Sequence, residues 1–244
     1  MSAYTALARW YDALTPDVPY GEFCALYERI FSETGQVKTV LDLACGTGTV
    51  TEILAAKGYE MIASDASVDM LSKAQEKLSG SNFQYNPLLL CQSMEELDLY
   101  GTVDAAVCAL DAVNYVEPAV FREALRRLHL FIRPGGVFIF DILSPSRLRS
   151  LDGDVSIDET DDVFCVWRAA LDGEWVLYSV DLFERRGDSW NRESEEHAEH
   201  IYEPEALLSL LRTAGFASAD IIPNAPMSDS GRIFIKAVNG EQNG

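Results

Sequence analysis

Apolar and polar positions follow two regimes along the chain. Over the first 35 residues the apolar and aromatic positions recur at helical spacing: Leu7, Trp10 and Tyr11, then Phe23, Leu26, Tyr27, Ile30 and Phe31. Pro16 and Pro19 interrupt that stretch and predict two helices rather than one. From residue 37 onward, short apolar runs alternate with amphipathic stretches. The runs at 37–43, 60–64, 88–92, 103–110 and 137–142 predict strands, and 49–57, 68–78 and 118–132 predict helices. Gly58 and Gly80 end the first two helices, and Ser67 can cap the second. Phe121, Ala124, Leu125, Leu128 and Ile132 form the apolar stripe of the third, and Pro134-Gly135-Gly136 predicts a turn before the fifth strand.

The rhythm breaks after Ser150. Residues 152–162 hold six acids and read as a loop. The segments 163–171, 175–185 and 189–202 then alternate apolar and polar positions, separated by Asp172-Gly173 and Arg186-Gly187-Asp188. That pattern predicts a three-stranded antiparallel meander. A helix at 204–214, stopped by Gly215, and strands at 219–222 and 232–238 resume the earlier rhythm, and 239–244 is a polar tail. The expected fold class is α/β: a Rossmann-like, seven-stranded, mostly parallel sheet with helices on both faces. Residues 36–150 and 203–240 form the main domain, 1–35 a helical N-terminal segment and 151–202 an antiparallel insertion.

Composition narrows the function classes. With 244 residues, 48% of them hydrophobic, the chain can bury one sizeable core. No apolar run reaches the roughly 18–20 residues of a membrane span, and the N-terminus carries no secretion signal. Five scattered cysteines without a CxxC pair suit reduced thiols in a cytoplasmic protein. A net charge of −20 disfavours a large nucleic-acid partner, and Arg122, Arg126, Arg127 and Arg133 read as the solvated face of a helix. The acids at 152–162 lack calcium-loop spacing, since positions 157 and 163 are Ile157 and Val163; no metal is expected. Monomer and homodimer are both open.

The strongest local signal is Val40-Leu41-Asp42-Leu43 running into Ala44-Cys45-Gly46-Thr47-Gly48 and then at once into a helix. In an open parallel sheet, ligands sit at the carboxyl ends of the strands, where glycine lets the backbone approach them. A lone GxG is weak evidence. Strand two, however, ends in Asp65, 17 residues after Gly48, where a carboxylate can accept both ribose hydroxyls. A dinucleotide site would need a third glycine, and Thr51 or Thr49 stands in its place. Asp42 adds a carboxylate able to hold a cationic amine, which suits S-adenosylmethionine (SAM) and not NAD.

On these residues the chain resembles the class I SAM-dependent methyltransferases. Asp65 matches the family's ribose acid, and Gln92-Ser93-Met94 matches the segment that reads the adenine edge, with serine where an aspartate is frequent. Val103-Asp104 through Leu110-Asp111-Ala112-Val113-Asn114-Tyr115 matches the fourth-strand motif, and Arg133-Pro134-Gly135-Gly136 the turn before strand five. The resemblance implies a SAM site made of Tyr11, Asp42, Ala44, Cys45, Gly46, Gly48, Asp65, Ala66, Met70, Gln92, Ser93, Met94 and Leu110. Tyr4, Tyr11-Asp12 and Val18-Pro19-Tyr20, with Gly231-Arg232-Ile233-Phe234-Ile235, are similar to small bacterial methyltransferases of unsettled substrate and to amino-sugar N,N-dimethyltransferases. In those the N-terminal helices form a lid over SAM and the insertion roofs the acceptor pocket.

The resulting expectation is in-line methyl transfer to the nitrogen or oxygen of a small-molecule acceptor. Asp111, Tyr115 and His200 are the candidates for base or positioning roles, with capping as the competing role for Asp111. His197 and His200 point to opposite faces of one strand, so they do not share a metal, and a solvated sheet face is the competing role for both. His129 is read as structural. An inert SAM-binding partner protein, and further off a nucleotide-dependent oxidoreductase, are the alternatives.

Overall fold

The computed structural model describes residues 6–241, so Tyr4 lies outside the described residues. After a 3-10 turn at Leu7–Arg9, the elements are α1 (Tyr11–Leu14), α2 (Tyr20–Thr34), β1 (Thr39–Leu43), α3 (Thr49–Ala56), β2 (Glu60–Asp65), α4 (Val68–Ser79), β3 (Leu88–Cys91) and β4 (Val103–Cys108). Then follow α5 (Pro118–Phe131), β5 (Ile132–Leu143), α6 (Pro145–Arg149), β6 (Val155–Glu159), β7 (Val163–Asp172), β8 (Trp175–Arg186), β9 (Ser189–His200), α7 (Pro204–Ala214), β10 (Phe216–Ile221) and β11 (Arg232–Asn239).

Seven strands form one sheet in the order β10-β11-β5-β4-β1-β2-β3. The five from β5 to β3 are parallel, and β11 runs antiparallel between β5 and β10. Because the sheet is covered on both faces, its central strands are largely apolar and split their side chains between two cores. Leu41, Leu43, Ala106, Cys108, Phe138 and Phe140 pack under α5 and α7. Val40, Ala105, Val107, Val137 and Ile139 pack under α2 and α3. Strand order reverses between β1 and β4, which places a crevice at their carboxyl ends.

The insertion is a separate four-stranded antiparallel sheet, β6-β7-β8-β9, and not the three-stranded meander predicted. The added strand, β6, lies inside the acidic stretch read as a loop and pairs with β7 from Val155↔Arg168 to Glu159↔Phe164. It is an edge strand with both faces largely exposed, so no core-facing period marks it, and its charges suit an unpaired edge. Three smaller differences follow from local chemistry. The first predicted helix is a 3-10 turn plus the four residues of α1. β5 begins at Ile132, with the Pro134-Gly135-Gly136 turn absorbed as an irregularity in its pairing with β4. Asn239 is no tail residue: it is buried, and its amide donates to the carbonyls of His129 and Ile132.

Both glycines of the glycine turn have left-handed backbones, but for different surroundings. A Cβ on Gly46 (φ +54°) would meet nothing within 4 Å, whereas one on Gly48 (φ +77°) would sit 3.0 Å from the Ala74 Cβ of α4. Gly48→Ala should therefore cost about 1–3 kcal/mol in urea unfolding, and Gly46→Ala less. An unchanged midpoint for Gly48→Ala would show that α4 yields freely.

Candidate active site

A cavity of about 850 Å³ opens at the carboxyl ends of β1, β2 and β4 and is roofed by β8 and β9. That size is in the range of small-molecule sites, roughly 300–1,000 Å³. Its sheet-side wall includes Asp42, Ala44, Cys45, Gly46, Asp65, Ala66, Met70, Gln92, Ser93, Met94 and Leu110, and Tyr11 and Tyr20 close it from the N-terminal segment. Of the predicted cofactor residues only Gly48 lies outside the lining, turned instead toward α4.

The glycine turn and the end of β2 are one hydrogen-bonded unit. The amides of Gly46 and Ser67 donate to the two oxygens of the Asp65 carboxyl, each at 2.8 Å. Burial raises the Asp65 carboxyl above the usual carboxylate range, and those amides only partly oppose the rise. Ser67 caps α4 by accepting from the Met70 amide at 3.2 Å, which aims Met70 at the cavity. Asp42 is fully buried and is pushed up to about 7 by burial, against the Thr51 hydroxyl that donates to it at 2.5 Å. A carboxyl that lines a cavity under such strain is stabilised by a cation arriving beside it.

On the β4 side, Leu110 and Asp111 both take positive φ, at 57° and 50°. The buried Asp141 at the end of β5 compensates this strain: it accepts both of their amides at 2.9 Å and also pairs with Arg232 of β11. Asp111 makes no side-chain cap; its carboxylate pairs with Arg232 at 2.6 Å, beside the cavity rather than in its wall. Burial works against the Arg232 charge, but Asp111 and Asp141 more than offset it and keep the guanidinium protonated. Asn114 ties this corner to the roof, donating to the His200 carbonyl at 2.8 Å while its own carbonyl accepts from Leu143 at 3.1 Å.

Tyr115 lines the cavity. His197, whose competing role was a solvated face, is buried and lines it too, edge-on to Tyr115 with ring centroids 6.3 Å apart. The His200 ring is outside the lining, held between Trp175 and Tyr202 at 4.8 and 4.6 Å. The N-terminal segment bridges roof and sheet. The Glu195 carboxylate accepts the amides of Ala6 and Leu7 and meets His197 Nε2 at 3.1 Å. At the other end Asp12 accepts from the Thr47 hydroxyl at 2.5 Å and pairs with Lys77 at 2.8 Å.

Known proteins share this plan. Residues 40–136 match the family model described as "Methyltransferase domain". The chain is 31% identical over 244 residues to "Putative methyltransferase YqeM" of Bacillus subtilis (strain 168), covering 96% of both chains. The crystal structure of a SAM-dependent methyltransferase from Clostridium acetobutylicum ATCC 824 superposes with a TM-score of 0.84 at 28% identity, covering 98% of this chain and all of that one. The sugar N-methyltransferase KedS8 from Streptoalloteichus sp ATCC 53650 shares the fold, with a TM-score of 0.83 at 19% identity over 99% and 96% of the two chains. The chain belongs to the class I SAM-dependent methyltransferases.

In this methyltransferase two residues shape the β4 corner: Asp141, which carries no motif, and Arg232, which stands in the segment 231–235 named above but with no role assigned to it there. Asp141 did leave a trace, as a lone acid within the apolar strand Val137–Ile142. Lys77 left none, and Asp12 was legible only as the neighbour of Tyr11, with no role assigned to it. Removing one member of a buried ion pair strands the other, so Asp141→Ala should destabilise the protein by about 3–5 kcal/mol, read by chemical denaturation. A loss below about 1 kcal/mol would mean that the strained turn does not depend on this carboxylate.

Proposed function

We propose that the protein N-methylates a small, basic amine, with SAM held at the glycine turn. The carrying observation is the charge of the cavity wall. It contains Asp42, Asp65, Glu95, Glu117, Asp172 and Glu196, and neither a lysine nor an arginine. Such a wall focuses negative potential and concentrates cations. A phosphate or carboxylate on the acceptor would find no counter-charge and would lose its hydration uncompensated.

The six acids divide by position. Asp42, Asp65 and Glu95 lie on the sheet side, at or after the ends of β1, β2 and β3. In this reading Asp65 accepts the ribose hydroxyls and Asp42 takes the methionine ammonium. The open face of Gly46 admits the ligand against backbone, and Gln92, Ser93 and Met94 border the adenine. Glu117, Asp172 and Glu196 ring the roof side with Trp175 and Tyr115, a setting for a cation beside aromatic faces. Bound SAM supplies an activated methyl group. The chain's part is to align the amine behind that group and to exclude water, which the roof and N-terminal segment are placed to do. KedS8, a sugar N-methyltransferase of the same fold, agrees with an amine acceptor.

Two measurements test this reading. Asp42 has a folded-state carboxyl raised from 3.8 to about 7, so its contribution to stability is present below pH 4 and is lost as pH rises through 7. A bound ammonium favours the ionised form. SAM affinity should therefore rise roughly five- to tenfold between pH 6 and 7.5 by calorimetry, and Asp42→Asn should flatten that rise. A flat wild-type profile removes Asp42 from the ammonium site. For the acceptor, S-adenosylhomocysteine formation should be measured with putrescine, spermidine, tyramine and glucosamine, and with glucosamine 6-phosphate. Turnover is expected with one or more of the amines and not with the phosphorylated one. Turnover confined to anionic or hydroxyl acceptors would defeat the amine reading.

A further inference from the structure

One wall of the cavity is the edge of a strand. Among the described residues β9 pairs only with β8, so its other edge is open. Hydrogen bonds fix which residues turn toward that edge. The Ile201 amide donates to the Glu174 carbonyl at 2.8 Å, one step beyond the Trp175↔His200 pair. In an antiparallel ladder, alternate residues bond to the neighbouring strand. Glu199, His197 and Glu195 therefore direct their backbone groups to β8, and His200, Ala198 and Glu196 turn theirs away from it. The His200 carbonyl confirms that phase by accepting from Asn114 Nδ2 at 2.8 Å. Glu196 and Ala198 lie in the cavity wall, and their outward N–H and C=O groups have no partner among the described residues.

We propose that the acceptor amine is carried on a peptide-like amide, which adds to the open edge of β9 at Ala198 and Glu196. The proposal rests on the amine reading above and narrows its substrate class to amino-acid amides and short peptides. Each outward residue offers one donor and one acceptor side by side. A carboxylate or phosphate would satisfy only the N–H, and an ammonium only the C=O. A peptide-like amide satisfies both, as in strand addition at other sheet edges. The chain itself shows what fits this edge, because at His200 the position is filled by the carboxamide of Asn114. The next outward position, Ala198, is the first one open to the cavity, and Glu196 follows about 6.8 Å further on, the two-residue repeat of a strand.

The flanks of the edge suit such a ligand. Leu177, directly opposite Ala198 on β8, is 43% exposed and lines the cavity with Trp175, which gives the acceptor's side chain an apolar bed. The carboxyls of Glu196 and Asp172 stand on the same wall, where they favour the cationic amine. Because Asn114 follows β4, the open edge begins beside the strained turn at Leu110 and Asp111 and runs outward along the roof.

The test adds two acceptors to tyramine. Tyrosinamide is tyramine with a carboxamide beside the amine. Tyrosine methyl ester matches the amide in shape and in the lowered basicity of its amine, but has no N–H to donate to the Ala198 carbonyl. Tyrosinamide should exceed both in kcat/KM by about tenfold or more. Ala198→Pro removes the outward N–H and leaves the β8 ladder intact, a substitution that edge strands accept. With circular dichroism and SAM affinity unchanged, it should raise KM for tyrosinamide about tenfold. Independently of that variant, NMR hydrogen exchange at the Ala198 amide of the wild type, with S-adenosylhomocysteine bound, should slow about tenfold or more on adding tyrosinamide. Equal use of amide and ester, an Ala198→Pro variant with unaltered KM, or unchanged exchange at Ala198 overturns the proposal while leaving the amine reading intact. So does a preference for glucosamine, which would give the edge to hydroxyls. No turnover with any amine, tyrosinamide included, overturns both.

Discussion

The Asp141 carboxylate holds the corner on which the rest of the site is built. It is completely buried and sits at the carboxyl end of a central strand, where three donors converge on it: two amides from a turn in the left-handed region and one guanidinium. Without those donors the carboxylate would be an uncompensated buried charge, and without the carboxylate the turn would carry its strain alone. Each makes the other tenable. The same arrangement recurs along this edge of the sheet, where Asp42 rests on the Thr51 hydroxyl and Asp65 on the amides of Gly46 and Ser67. Parallel strands ending together thus present a row of carboxyls, each stabilised by a few fixed donors; Asp42 and Asp65 face the cavity, and Asp141 lies outside its wall.

That row explains how one apolar sheet supports a polar reaction space. Asp42 and Asp65 are buried enough to resist ionisation, so cations entering the cavity are met by groups that gain from the encounter. The roof adds its own acids, more exposed and more readily screened by salt. A graded field results, from solvated carboxylates at the mouth to desolvated ones at the sheet.

The parts of this plan that were legible from sequence share a cause. The sheet strands and their helices are periodic because they are buried on fixed faces, and periodicity survives in one dimension. The glycine turn with Asp42 and Asp65 was legible because special backbone geometry demands special residues within a short span. What stayed hidden arises from contacts between distant segments. Asp141 and Arg232 stand 91 positions apart, Asp12 and Thr47 35, and Ala6 and Glu195 189. β6 was hidden for the opposite reason, since an edge strand with no buried face has no pattern to show. The two histidines illustrate the same limit. Strand alternation separates His197 from His200, but only the packing of the roof against the rest of the fold decides which of them meets the cavity.

The position of β11 between β5 and β10 also has a bearing on synthesis. Arg232 arrives in the sheet from β11, the last strand among the described residues, long after Asp111 and Asp141 have been made. A nascent chain emerging N-terminus first can pair its parallel strands and form the glycine turn. Until β11 slots in beside β5, however, the corner next to the cavity holds two carboxylates and no guanidinium. The ribosome therefore delivers the glycine turn before the guanidinium that completes the β4 corner, so translation itself separates the two sides of the cavity in time.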